Sequence, residues 1–245
     1  MTASVCPDMP RKDPPQQPPP VQRLRVRYAK RGRLRFTSHR DFSRAFERAV
    51  FRARIPMAYS SGFNPHPRIS YAGAAPTGSA SEAEYLEIAL AQVLVPSEVH
   101  ALLDEALPPG LDVLEVVESP GGSLADRLEA SRWRIDVTVP LDSAQAAADA
   151  FLAADEVLVE RMTKKGLREF DARDAVLSLA TAASTERDGA AFELVLRHGV
   201  PAVRPDDVLT ALAAVSGTAM GEAPLMTRLE QGTLEASGAI GDPLV

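Results

Sequence analysis

Hydrophobic and polar residues alternate where the first regular pattern of the chain begins. Leu24, Val26 and Tyr28 stand between Arg23, Arg25 and Arg27. A period of two predicts a strand with one apolar face and one cationic face. Lys30-Arg-Gly-Arg33 follows as a turn, and Leu34 and Phe36 continue as a short strand. The period then lengthens. Phe42, Ala45, Phe46, Ala49, Val50 and Ala53 recur at helical spacing, which predicts a helix over residues 38–54 with those side chains on its core face. Thr37 or Ser38 is the expected cap, and with Ser38 as the cap Asp41 falls three residues later. Pro56 stops the helix near Arg54. Residues 69–75 and 82–90 read as strands, 96–107 as a helix closed by Pro108-Pro-Gly110, and 111–117 as a strand. Strand, helix, strand, strand, helix, strand is the order of a ferredoxin-like, split βαβ unit.

The pattern recurs beyond a Pro-Gly-Gly-Ser stretch. Residues 133–139 alternate as a strand, 143–153 form an alanine-rich helix, and 157–162 a strand that turns at Thr163-Lys-Lys-Gly166. Strands follow through Val176, Leu177 and Leu179 and over residues 192–196. A helix over 205–215 and a strand over 225–234 complete the set. The expected fold class is α+β, two ferredoxin-like (split βαβ) units, the second with an extra strand pair. The expected divisions are a Pro-rich disordered tail (1–20), a basic domain (21–118), a linker (119–131) and a second α+β domain (132–234). A flexible tail (235–245), without periodic apolar pattern, ends the chain.

Composition narrows the class. Seven prolines fall in residues 1–20, which suits a polyproline-like spacer. No run of about 18 apolar residues predicts a membrane span. The N-terminal residues lack the apolar core of a secretory signal, so a cytoplasmic location is expected. Cys6 is the single cysteine. It excludes an internal disulfide and cannot by itself hold an iron–sulfur cluster or a zinc knuckle. No cofactor and no metal site are expected.

Charge changes the picture most. The chain carries a formal net charge of −6, yet residues 21–72 hold 13 Lys and Arg against two Asp and Glu. Such asymmetry points to an anionic partner, and nucleic acid is the first choice. Arg40, Arg44, Arg48 and Arg52 repeat every four residues along one side of the predicted helix. Four like charges in a row repel unless something neutralises them. Downstream, Tyr59-Ser-Ser-Gly-Phe-Asn-Pro-His-Pro-Arg68 sets His66 between two prolines that fix the backbone on either side.

Two functions of different class fit these residues. In the first, the chain is an accessory RNA-binding protein for a structured RNA such as tRNA or rRNA. Arg25, Arg27, Lys30, Arg35, Arg40, Arg44, Arg48, Arg52 and Arg68 would meet phosphate, with Asn64 beside them, and Tyr59 and Phe63 would stack on bases. In the second, it is a small RNA-processing or RNA-modifying enzyme with His39 and His66 as catalytic groups, and Glu84 and Glu87 as additions to the pocket. Asp41 reads as a helix cap. No Walker loop, dinucleotide fingerprint or serine-hydrolase elbow is present.

The stretch Lys30-Arg-Gly-Arg-Leu-Arg-Phe-Thr-Ser-His-Arg-Asp41, with Ile55-Pro-Met-Ala-Tyr-Ser-Ser-Gly-Phe-Asn-Pro-His-Pro-Arg-Ile-Ser70, resembles the bacterial radical-SAM-associated domain of unknown function. Thr163-Lys-Lys-Gly166 followed by Asp171-Ala-Arg173 fits the same family. The likeness covers about residues 22–215 and is most specific in the first third. It implies a stand-alone form of a domain otherwise fused to, or encoded beside, a radical SAM enzyme, often near ribonuclease E/G. It implies those two enzymes as partners. The three-cysteine motif of radical SAM enzymes is missing, so the chain cannot do that chemistry unaided.

Overall fold

In the computed structural model, which describes residues 16–163 and 166–245, the first alternating stretch forms strand β1 (Gln22–Lys30). Most of the expected N-terminal tail, with Cys6, lies outside the described residues, as do Lys164 and Lys165 of the expected turn. Strand β1 pairs antiparallel with β3 (Ala80–Leu90) on one side and with β4 (Val113–Glu118) on the other. The four-residue strand β2 (Ile69–Ala72) takes the far edge of β3, again antiparallel. Helix α1 (His39–Arg52) connects β1 to β2, and helix α2 (Pro96–Ala106) connects β3 to β4. The order β4-β1-β3-β2 therefore leaves one strand between each pair that a helix joins.

The apolar stripe of α1 explains its seat. Phe42, Phe46, Ala49 and Val50 are buried against Leu24, Val26, Leu86 and Ile88 of the sheet. Ser38 caps the helix: its Oγ accepts from the Asp41 amide (3.2 Å) and donates to the Asp41 carboxylate (2.7 Å). One orphan amide of the first turn is thereby satisfied, and the second bond fixes the two side chains on each other.

The second half repeats the strand order. Strands β5 (Ala130–Val137), β8 (Val176–Ala183), β9 (Ala190–Arg197) and β10 (Leu225–Leu234) lie in the order β10-β5-β9-β8, every neighbour antiparallel. Helices α3 (Leu141–Ala153) and α5 (Pro205–Ser216) pack over them, with Trp133, Ile135, Phe151, Phe192 and Leu212 in the core. The hairpin of β6 (Leu158–Thr163) and β7 (Gly166–Asp171) stands apart from this sheet and is followed by the short helix α4 (Ala172–Ala175); the pattern predicted β6 and its turn but not β7. The fold is thus α+β.

The halves share one sheet. Thr227 and Arg228 of β10 pair in parallel with Ala80 and Ser81 of β3, giving a nine-stranded sheet. The far edge of β3 is divided: β10 takes its first residues, and β2 takes Tyr85 to Ile88.

Three sequence expectations are corrected. Leu34 and Phe36 belong to a 3-10 helix, Gly32–Phe36, rather than to a strand. The cationic face of β1 is covered at its centre, where Arg25 is 0% exposed, while Arg23 stays exposed. What covers it is partly the C-terminal tail, which was expected to be flexible. Strand β11 (Ile240–Gly241) pairs with β10, and Leu244 is buried with Tyr85, Leu124 and Leu128. One buried leucine and a two-residue strand are too short to leave a periodic signal. Among the described residues no helix is long and apolar enough to cross a membrane.

Candidate nucleic-acid interface

Helix α1 presents its arginines outward because its other side is filled with Phe42, Phe46 and Val50. Arg40, Arg44, Arg48 and Arg52 are all exposed. None has a hydrogen-bond or ion-pair partner among the described residues. Arg44, Glu47, Arg48, Phe51 and Arg52 line a shallow depression of about 640 Å³. Phe51 stands in it 83% exposed. The sequence reading passed over Phe51. Its signal was there: a large aromatic out of phase with the apolar stripe of a helix has no core to enter.

The cations of β1 behave differently. Arg23 pairs with Glu87 at 2.9 Å. Arg25 donates to the carbonyls of Pro243 (3.0 Å) and Gly121 (2.7 Å). Arg27 donates through Nε to the Glu82 carbonyl at 2.9 Å. The Lys30 ammonium is buried on the carbonyls of Ala75 and Pro76, and burial pushes its pKa down. Arg25, Arg27 and Lys30 are thus committed to their own chain, and Arg25 and Lys30 have no surface to offer phosphate. Arg35 lies over the Phe36 ring, 4.8 Å from its centre. Glu87 serves the same covered face, accepting from Ser119 Oγ at 2.7 Å.

The loop after α1 is tied at its base. Tyr59 bridges Pro67, the Ser60 amide donates to the His66 carbonyl (2.9 Å), and the His66 amide donates to Ser60 Oγ (3.0 Å). Arg68 donates through Nε to the Tyr59 carbonyl (3.1 Å). This closure leaves Tyr59 and His66 exposed at the base and Phe63 and Asn64 exposed at the tip, Phe63 at 73%. Phe63 is a free aromatic and does not plug the core.

The two histidines have different surroundings. His39, in the first turn of α1, sets its ring edge-on to Tyr71, 5.0 Å between centroids. His66 belongs to the loop that follows the other end of that helix. No hydrogen bond or ring contact joins them among the described residues. Among those residues no group of His, Cys, Asp and Glu could hold a metal ion.

A second polar cluster lies at the seam between the halves. Glu84 of β3 and Arg228 of β10 form an ion pair and are 2% and 3% exposed. Arg228 also donates to the Gly73 carbonyl (2.6 Å) and to Ser81 Oγ (3.3 Å). Its guanidinium stands 5.5 Å from the centre of the Trp133 ring. Trp133 Nε1 donates to Ser131 Oγ (2.8 Å), and that hydroxyl lies 2.8 Å from His198 Nε2. His198 Nδ1 lies 2.7 Å from the Leu128 carbonyl. A carbonyl only accepts, so Nδ1 carries the proton and Nε2 accepts from Ser131. Burial pushes the His198 pKa down, in keeping with a neutral ring. Tyr28, beside Glu84, has its phenol pushed well up by burial and by that carboxylate. Of this cluster the sequence reading singled out only Lys30 and Glu84. The signal for Arg228 was weak: one charged residue on the inward side of a strand.

With fold and surface in view, the comparisons give a family. Residues 23–205 match the family described as uncharacterized protein conserved in bacteria (DUF2344), and the chain belongs to it. No curated protein matches the chain.

Proposed function

We propose that this protein is an accessory RNA-binding protein that holds the phosphate backbone of a structured RNA, tRNA or rRNA, along α1. The observation that carries this reading is the contrast between two sets of arginines. Those of β1 are bonded within the chain, while Arg40, Arg44, Arg48 and Arg52 face solvent with no partner among the described residues. Every fourth residue of a helix advances about 6 Å, a spacing close to that of successive phosphates along a strand. Phe51 within that row, and Tyr59 and Phe63 on the exposed loop, offer faces for unpaired bases. The family resemblance supplies the setting: action beside a radical SAM enzyme or ribonuclease E/G, in the cytoplasm.

The enzyme alternative rests on His39 and His66 and needs both within about 3 Å of one reacting group. The unpartnered arginine row is a feature that this alternative leaves unexplained, so binding is the favoured reading.

The test is a salt titration of RNA affinity. Arg44→Gln with Arg48→Gln should weaken binding and lower the slope of log affinity against log salt by up to about two contacts, each about 0.7 to 0.9. The helix should stay folded, because neither side chain enters the core. Wild-type affinity in the double variant at every salt concentration would show the row to be a solvated face only.

A further inference from the structure

The seam between the halves holds a cavity of about 330 Å³, distinct from the depression on α1. We infer that this cleft is a binding site for a single nucleotide: a heteroaromatic ring carrying a phosphate. Its lining residues include Trp133, His198, Pro76 and Pro205, all flat-sided, with Arg204 and Arg228. None of the residues lining it is acidic, in a chain whose net charge is −6. Glu84 is spent on Arg228 beneath the floor. The buried Lys30 ammonium, on the carbonyls of Ala75 and Pro76, adds a further cation close by. The cleft therefore favours an anion.

The ring follows from the hydrogen bonds. Trp133, Ser131 and His198 bond to one another and to the Leu128 carbonyl. Their polar edges are used and Trp133 is buried beneath Arg228, so what remains for a ligand is the half-buried face of the His198 ring, and ring face binds by stacking. Arg204 is exposed at the start of α5 and is placed to reach a phosphate at the mouth. The volume lies at the small end of ligand pockets, which run from about 300 to 1,000 Å³, and suits one nucleotide rather than two. A buried ion pair beside a cleft is costly to maintain for packing alone.

The nucleotide has two sources: a free mononucleotide, or one unpaired residue turned out of an RNA strand. Trp133 is the sole tryptophan, so intrinsic fluorescence of the full chain reports on this cleft directly. AMP, GMP, CMP and UMP are titrated singly, with adenosine and inorganic phosphate as controls, and retention in equilibrium dialysis is measured in parallel. A hairpin RNA with one unpaired nucleotide is compared with its fully paired counterpart.

The expected result is a saturable change with at least one mononucleotide or with the bulged hairpin, at a Kd under about 1 mM. Arg204→Gln should loosen it roughly tenfold, the loss of one charge-assisted contact. Arg44→Gln with Arg48→Gln should leave mononucleotide binding unchanged, which separates this site from the interface on α1. Response to mononucleotides identifies the free ligand, and response to the bulged hairpin alone identifies RNA. No response to any mononucleotide or to the bulge overturns the inference, as does equal binding of inorganic phosphate alone or wild-type affinity in Arg204→Gln.

Discussion

Arg25 and Arg44 carry the same guanidinium and serve opposite ends. Arg25 is wholly buried, its donors on backbone carbonyls and its Nε 3.6 Å from Glu87. Arg44 is exposed and unpartnered among the described residues. The alternation around Arg25 was legible, but a strand pattern gives the face and not what covers it. The cover comes from Gly121 and Pro243, distant in sequence. His198 was illegible for the same reason, since its partners Leu128 and Ser131 lie some seventy residues earlier. Its environment predicts a pH dependence. Burial, with Arg228 nearby, holds the folded pKa below the ordinary value of about 6.5, despite the opposing hydrogen bond to Leu128. The unfolded chain therefore takes up a proton as pH falls past about 6.5 while the folded chain does not. Stability from this group is complete above that pH and declines below it, down to the folded pKa. Denaturant midpoints should fall between about pH 8 and about pH 5.5, and His198→Gln should lessen the fall. An identical decline in the variant would remove His198 from the account.

At the scale of the element, α1 was the most legible part of the chain because its order is local. Cap, apolar stripe and arginine row all lie within fourteen residues, and each can be counted without knowing the fold. The stripe makes a direct prediction. Phe46 is completely buried, with its ring 5.8 Å from Phe42 and 6.5 Å from Tyr71. Phe46→Ala should cost about 3–5 kcal/mol, by lost burial and by the cavity left behind. Chemical denaturation of the two chains measures it, and a cost under about 1 kcal/mol would mean the helix is not fixed on the sheet as described. Leu34 and Phe36 misled because a five-residue apolar alternation suits a strand and a tight turn equally well. Neither is fully buried, and the segment is held instead by the Thr37 amide on the Leu34 carbonyl and by the Gly78 amide on the Arg35 carbonyl. The loop of residues 59–68 was legible in its rigidity, through Pro65 and Pro67, but its bonds from Ser60 to His66 were not.

At the scale of the molecule, the repeated strand order was readable in each half, whereas the joining of the halves was not. A parallel contact of two residues between β3 and β10 leaves no pattern, because it links positions about 150 residues apart. Its consequence is large. Glu84 depends on Arg228, Arg25 depends on Gly121 and Pro243, and Tyr85 is covered by Leu124, Leu128 and Leu244. None of those partners lies within residues 21–118. A fragment of those residues keeps its helices and its apolar core, yet takes Arg228 from Glu84 and two carbonyls from Arg25, whose contact with Glu87 remains. Breaking one buried pair costs about 3–5 kcal/mol. That loss, with the carbonyls taken from Arg25 and the cover taken from Tyr85, is a large share of the roughly 5–15 kcal/mol that holds a domain together. The fragment should therefore show helical circular dichroism without a cooperative thermal transition, while the full chain unfolds cooperatively. Adding the complementary fragment, residues 119–245, should restore the transition, because it returns all of these partners. A sharp transition of residues 21–118 alone, near the full-chain midpoint, would show that the first half is self-sufficient and that the seam contributes little to its stability.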